Sequence, residues 1–251
     1  MQLLLIFLAA FAAGFINAVA GGGTFLTFPT LTGPGQLTEK MANMTSTLGI
    51  WPGSLASVVA AKNDFRGLPY SLLTMYLVVG LIGSIGGAIL LLVTRTSDFR
   101  LTVPWLLGFA TLIFAAGPRI SAWAGHEHGK GGPRGRFMTG IMLLGVSIYG
   151  GYFGAGIGIL MLAALSFAGL RDINQINAVK VLMATVINGV ASVIFAFAGV
   201  DWRFVGLMAV ASIAGGFIGM HFAQRLPQKI FRILVVLTGS ALTVAFFIKN
   251  Y

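Results

Sequence analysis

Only 9% of the 251 residues are charged and 57% are hydrophobic, whereas a soluble domain carries roughly 25% charged residues; too few polar side chains remain to cover a water-facing surface, which excludes a soluble globular fold. Sixteen Lys and Arg against six Asp and Glu give a net charge of +10. Fifteen of those bases and all the acids lie in connections, at the C-terminus or within two residues of an apolar segment's end, so anionic lipid headgroups, not nucleic acid, are the expected partner of that charge.

The absence of cysteine excludes disulfides, thiolate metal sites and a cysteine nucleophile. A bilayer-spanning helix needs about 20 apolar residues. On that measure the sequence predicts eight apolar segments: 2–31, 41–61, 69–93, 101–118, 137–169, 176–199, 204–223 and 231–248. The first lacks the basic start of a signal peptide and runs on through its glycines into Phe25 and Phe28, so it reads as a retained span. The first and fifth are too long for one straight crossing. The first contains Gly21, Gly22 and Gly23, and the fifth the run from Gly150 to Gly158. Each interior glycine costs about 1 kcal/mol of helix relative to alanine, so both segments are expected to break into a crossing plus an unwound or re-entrant piece. The alternative for the glycines is close packing of the small-xxx-small kind, which suits Gly83 and Gly87, and Gly215 and Gly219.

The connections are short and rich in turn and charge signals, as in Thr32-Gly33-Pro34-Gly35 and Lys62-Asn63-Asp64. The longest, 119–136, holds several bases and five glycines and is expected to be a flexible linker between two halves, 1–118 and 137–251. Gly21 and Gly156 fall 135 apart and Gly53 and Gly189 fall 136 apart, while Gly83 and Gly87 stand 132 before Gly215 and Gly219, which supports an internal repeat. Eight simple crossings would leave eight bases on one side and seven on the other, so the positive-inside rule does not orient the chain.

Lys180 is the sixteenth base and the only formal charge well inside an apolar segment. Burying a lysine at mid-membrane costs about 2.5–3.5 kcal/mol on insertion scales, which makes it a functional candidate. Asn177, Lys180, Ala184, Asn188 and Ser192 form one polar and small stripe at helical spacing, and Asn43, Ser46 or Thr47, Ser54 and Ser57 form a comparable stripe in the first half. Two such stripes facing each other would line a polar cavity. Against a role in that cavity stands snorkelling, since Lys180 lies about 6 Å from its predicted segment's start. Freed N–H groups at a glycine break bind negative charge without a side chain, and hydroxyls, amides and Lys180 add donors. His126 and His128 have no metal-site partners, and His221 reads as interfacial. No paired carboxylates lie within the segments, which argues against sodium coordination by acidic side chains and against an aspartate proton relay.

The run Ala13 to Pro29, followed by Ala42-Asn43-Met44-Thr45-Ser46 and Trp51-Pro52-Gly53, resembles the sulfite exporter TauE/SafE family of membrane permeases. The resemblance covers nearly the whole chain, including Gly150 to Gly158 and the segment that starts Asn177-Ala178-Val179-Lys180. It implies a permease of two related halves in a bacterial inner membrane, moving sulfite, sulfonates, thiosulfate or other small organic anions. It places the family's glycine motif on Gly21, Gly22, Gly23 and Pro29 and its polar motif on Asn43, Thr45 and Ser46. The second half departs: Ile157 interrupts the glycines, Ala164 maps onto Pro29, and Val181 with Leu182 map onto Thr45 and Ser46.

The expectation is therefore an all-α polytopic membrane protein of two related halves, a multi-pass transporter of a small anion by alternating access. Its expected substrate-binding residues are Asn17, Gly21, Gly22, Gly23, Thr24, Asn43, Thr45, Ser46, Gly156, Asn177, Lys180 and Asn188. No cofactor and no metal site are predicted. The sequence offers no membrane-embedded nucleophile or acid–base pair for an enzyme; a passive anion channel and a non-transporting scaffold are the alternatives. The expected partners are a small anionic substrate and membrane lipids, and the sequence leaves a homo-oligomer open.

Overall fold

The computed structural model describes residues 1–128, 133–166, 172–222 and 228–251. The described residues form helices and connections, with no strand among them. In order the helices are α1 (Gln2–Val19), α2 (Thr24–Thr32), α3 (Glu39–Ala60), α4 (Tyr70–Val93), α5 (Thr96–His128), α6 (Pro133–Tyr152), α7 (Ile157–Ser166), α8 (Ile173–Phe195), α9 (Trp202–Phe222) and α10 (Gln228–Asn250). Each of the eight predicted segments is found. The two long ones are each split in two, α1 with α2 and α6 with α7. Among the described residues six helices, α1, α4, α5, α8, α9 and α10, are long and apolar enough to cross a bilayer, and the chain is a multi-pass membrane protein. Residues 119–128 and 133–136, predicted as linker, continue α5 and open α6, because a helix already nucleated extends at little cost through residues such as Ala122 and Ala124. Residues 129–132 of that stretch, and the side chains of His126 and His128, lie outside what is described.

The two breaks share one backbone pattern. Ala20 and Gly21 both donate to the Ile16 carbonyl, and Phe153 and Gly154 both donate to the Tyr149 carbonyl. Gly21 and Gly154 have left-handed φ of 79° and 78°, which an L side chain adopts only with strain. Gly21 thus corresponds to Gly154, not to Gly156 as the residue spacing suggests; a run with five glycines offers several alignments, and only the backbone selects one. Similarly, Ile187 holds the place of Gly53: Ser84 Oγ donates to the Ile187 carbonyl, and Gly216 packs on the Gly53 carbonyl.

Glycines also set the long contacts. A Cβ on Gly215 would overlap the Phe11 carbonyl, and one on Gly87 the Ile148 carbonyl, so α1 lies backbone to backbone on α9, and α6 on α4. Those contacts advance together along both chains. Phe11 meets Gly215 and Phe15 meets Gly219; Gly49 meets Met208 and Gly53 meets Ser212. Helices α1, α3 and α9 are therefore parallel, as α4, α6 and α8 are by Gly83 on Leu144, Gly87 on Ile148 and Gly80 on Met183. Trp51 Nε1 donates to the Thr185 carbonyl while its ring packs on Gly189, and Ser54 and Ser57 share a cavity with Ala184 and Val181, so α3 and α8 are antiparallel.

These directions fix the path. Because α1 and α3 leave the same face, α2 must bring the chain back to it. At nine residues, α2 spans about 13 Å, well short of the roughly 30 Å hydrocarbon core. The same holds for α7, with ten residues. The pairs α1–α2 and α6–α7 are each followed by three long helices, α3 to α5 and α8 to α10, and α6 runs antiparallel to α1. Met1 and Tyr251 share one face, the terminal face, where Lys249 bonds Glu39 at 3.1 Å and Arg100 bonds Asn250 at 3.0 Å. The connection 61–69 and the start of α8 share the far face, joined by Gln175 to the Arg66 carbonyl at 3.0 Å.

Candidate functional site

The two breaks meet at the centre of the molecule. A Cβ on either Gly21 or Gly158 would overlap the other's Cα. Around this crossing, Asn17, Gly21, Thr24, Ser54, Ser57, Gly154, Ile157, Gly158, Lys180, Val181, Ala184 and Asn188 line a cavity of about 20 Å³, room for about one water. The two polar stripes read from the sequence face each other across it through Ser54 and Ser57 on α3 and Lys180, Ala184 and Asn188 on α8.

Lys180 does not snorkel. It is 1% exposed, and its Nζ donates to the Ala18 carbonyl at 3.0 Å. Among the described residues, the ion pair is Lys249 with Glu39, so no carboxylate neutralises Lys180. Its match is the C-terminal end of α1. The kink that sends Gly21 N–H to Ile16 leaves the Ala18 carbonyl without a helical donor, at the negative end of the helix dipole. A cation at that end is favourable, although near the start of its own helix it is not.

Both short helices present their N-terminal ends to the cavity, α2 through Thr24 and α7 through Ile157 and Gly158. Gly23 N–H is taken by Asn17 Oδ1 at 2.7 Å, whereas the N–H groups of Gly22 and Thr24 have no bond among the described residues. Two positive helix ends, one ammonium and the hydroxyls and amides of Thr24, Ser54, Asn17 and Asn188 thus converge on one point. That arrangement suits a small anion.

Five of the twelve residues predicted to bind substrate line the cavity: Asn17, Gly21, Thr24, Lys180 and Asn188. The rest lie elsewhere. Gly22 packs on Phe114 and Val235, Gly23 on the Ala13 backbone, and Gly156 on Ala110 and Phe114. Asn43 Nδ2 donates to the Tyr152 carbonyl at 3.0 Å, Thr45 Oγ1 accepts from Asp201 N–H at 3.1 Å, and Ser46 pairs with Thr27 at 2.6 Å. Asn177 Nδ2 reaches Met220 Sδ at 3.5 Å. Ser54, Ser57, Gly154 and Gly158 join the lining without having been among the predicted ligands. The serines were legible as part of the α3 stripe, but which end of that stripe meets the cavity depends on the α3–α8 register.

A family model described as sulfite exporter TauE/SafE matches residues 6–246. The chain is 27% identical over 244 residues to a probable membrane transporter protein, ORF9, of Sinorhizobium sp., covering 95% of this chain and 90% of that one. It is 27% identical over 242 residues to the probable membrane transporter protein YfcA of Escherichia coli, at 95% and 87% coverage. A probable membrane transporter protein of Haemophilus influenzae is also 27% identical, over 249 residues, at 96% and 92% coverage.

Proposed function

From the premise that this chain belongs to the sulfite exporter TauE/SafE family, we propose that it is a secondary transporter of a small oxyanion, a sulfite or sulfonate, held where the two re-entrant pairs cross. The carrying observation is the convergence of the α2 and α7 N-termini and Lys180 on one cavity. Helix N-termini favour negative charge, and the buried ammonium adds a full countercharge. The family name contributes the sulfur; the geometry supports the charge.

The cavity holds about one water, which is too little for an oxyanion, so binding requires the lining helices to separate. In this reading the halves 1–128 and 133–251 act as inverted repeats that rock about the Gly21–Gly158 contact and open the site to each face in turn. Beyond the self-matched centre, the cavity extends only toward Lys180 and Ser57, the far-face side. A channel would keep both ends open together.

The inverted path also orients the chain. Among the described residues, Lys62, Arg66, Arg119, Arg134, Arg136, Lys229 and Arg232 stand toward the far face, and Lys40, Arg95, Arg100, Arg203 and Lys249 toward the terminal face. We assign the far face to the cytoplasm on that excess.

Flux of radiolabelled sulfite and of a sulfonate into proteoliposomes tests the proposal. Saturable uptake that falls about tenfold or more in Lys180→Met is expected, the equivalent of at least about 1.4 kcal/mol of lost interaction. Undiminished flux in a folded Lys180→Met protein would remove the lysine from the site, and a conductance that never saturates would favour the channel.

A further inference from the structure

The two ends of the broken spans are not treated alike, and the difference points to a second ligand. Lys180 and Ser46 are each the eighth residue of their helix, α8 and α3. At the end of α1, Lys180 brings a positive charge to the freed Ala18 carbonyl. At the end of α6 the corresponding residue is committed elsewhere, since Ser46 pairs with Thr27. The same kink is present: Phe153 and Gly154 both donate to the Tyr149 carbonyl, which leaves the Gly150 and Gly151 carbonyls without their helical donors. The negative end of α6 is therefore buried with no cation beside it among the described residues.

Two neutral oxygens at the same level are left open. The Asn43 amide is anchored there by its Nδ2 bond to the Tyr152 carbonyl, yet its Oδ1 is buried with no partner, in a side chain 1% exposed. Ser192, 4% exposed, has a buried Oγ with no partner. The antiparallel register set by Trp51 against Thr185 and Gly189 brings Ser192 to the level of Ser46 on α3, one turn inward of Asn43. Buried oxygens without donors are costly, and a bound ligand or ion relieves that cost. Here what is missing is a positive partner, because Asn43 Oδ1 and the α6 carbonyls can only accept.

We propose a monovalent cation site, of sodium size, at the C-terminal end of α6, with Asn43 Oδ1, Ser192 Oγ and carbonyls of the α6 break as ligands. Oxygen ligands suit a hard cation, and unwound carbonyls with a half-helix C-terminus are the means by which a membrane interior holds sodium without carboxylates. A divalent ion would need countercharge, and the acids that meet α3 at this end are engaged: Glu39 holds Lys249 at 3.1 Å, and Asp201, whose N–H donates to Thr45 Oγ1, accepts the Arg203 and Phe204 N–H groups at the start of α9. Lys180 is then a built-in cation at one break, and an exchangeable ion plays the same part at the other. The site sits toward the terminal face, on the opposite side of the Gly21–Gly158 contact from Lys180, where its occupancy would be coupled to any rocking of the two halves.

The test is radioactive sodium binding to the purified protein in choline chloride, without any oxyanion. Saturable binding is expected, weakened by at least the roughly tenfold that loss of even an outer-shell partner costs a metal site, in Ser192→Ala and in Asn43→Leu. Ser192→Ala removes one hydroxyl and decides the matter if Asn43→Leu does not fold. No saturable binding by the parent protein, or unchanged affinity in Ser192→Ala, would overturn the site. Because no oxyanion is present, this result is independent of the flux measurement, and either can fail alone.

Discussion

At the scale of single residues, Lys180 and Gly21 are used in different ways. Lys180 is buried, and among the described residues its ammonium is matched by a helix end, the Ala18 carbonyl. An arginine there would keep the charge but bring a larger planar group that forks its donors. Lys180→Arg should therefore impair transport although the net charge is unchanged, and flux measured beside Lys180→Met separates the need for charge from the need for shape. Gly21 is constrained twice, by its φ of 79° and by the Gly158 backbone against it. Alanine at Gly21 incurs about 1–2 kcal/mol of left-handed strain and also pushes the two breaks apart, so Gly21→Ala should insert yet lose transport. Normal flux would show that the crossing tolerates separation. Ser212, whose Oγ bonds the Gly49 carbonyl at 2.8 Å, is a contrasting case. Interhelical hydrogen bonds in membranes average about 0.6 kcal/mol, so Ser212→Ala should lower thermal stability only slightly and leave flux intact.

At the scale of the element, glycine is frequent for two reasons, helix breakage and close helix approach. In the straight part of α9 the glycines have ordinary helical φ, and their use is close approach: Gly215 admits the Phe11 carbonyl and Gly216 the Gly53 carbonyl. A side chain there meets rigid backbone on the neighbouring helix, and overpacking is not relieved by rotamer changes. Gly215→Val should separate α1 from α9 and abolish a monodisperse protein in detergent. By contrast, Gly145 and Gly206 meet nothing within 4 Å of an added Cβ, and Gly206→Ala should be neutral to slightly stabilising by helix propensity. Melting temperatures of the two variants, read side by side, distinguish packing glycines from incidental ones. The fold class was legible because apolar length reports membrane crossing directly; the sites of breakage were legible because clustered glycines weaken a helix over the same few residues.

At the scale of the whole molecule, the proposed inverted arrangement of the halves redistributes the charges. Counted over eight simple crossings, the bases do not orient the chain; counted over two re-entrant pairs and six crossings, the described bases stand in excess on the far face. Single cysteines in this cysteine-free chain provide the check. Asn63→Cys, in the connection between α3 and α4, should react with a membrane-impermeant thiol reagent only in inside-out vesicles, and Gly35→Cys, between α2 and α3, only in right-side-out ones. Gln2→Cys decides between re-entry and crossing: it should share the sidedness of Gly35→Cys, and reaction from the side of Asn63→Cys instead would return the first segment to a simple crossing and the halves to a parallel arrangement.

By itself the sequence determined that the chain lies in a membrane, that it is helical, that two of its spans are interrupted, and that Lys180 with two polar stripes lies inside. Each of these follows from a local property, apolar length, glycine density or helical spacing, that needs no partner to be read. Tertiary structure alone decided which break residues share a backbone pattern, that Asn43, Thr45 and Ser46 lie toward the terminal face and not at the cavity, and that Lys180 bonds the end of α1. Those facts depend on how helices distant in the chain register against one another, and that register is set by backbone contacts such as Gly21 on Gly158 and Gly53 on Ser212, which leave no local periodic trace in the sequence.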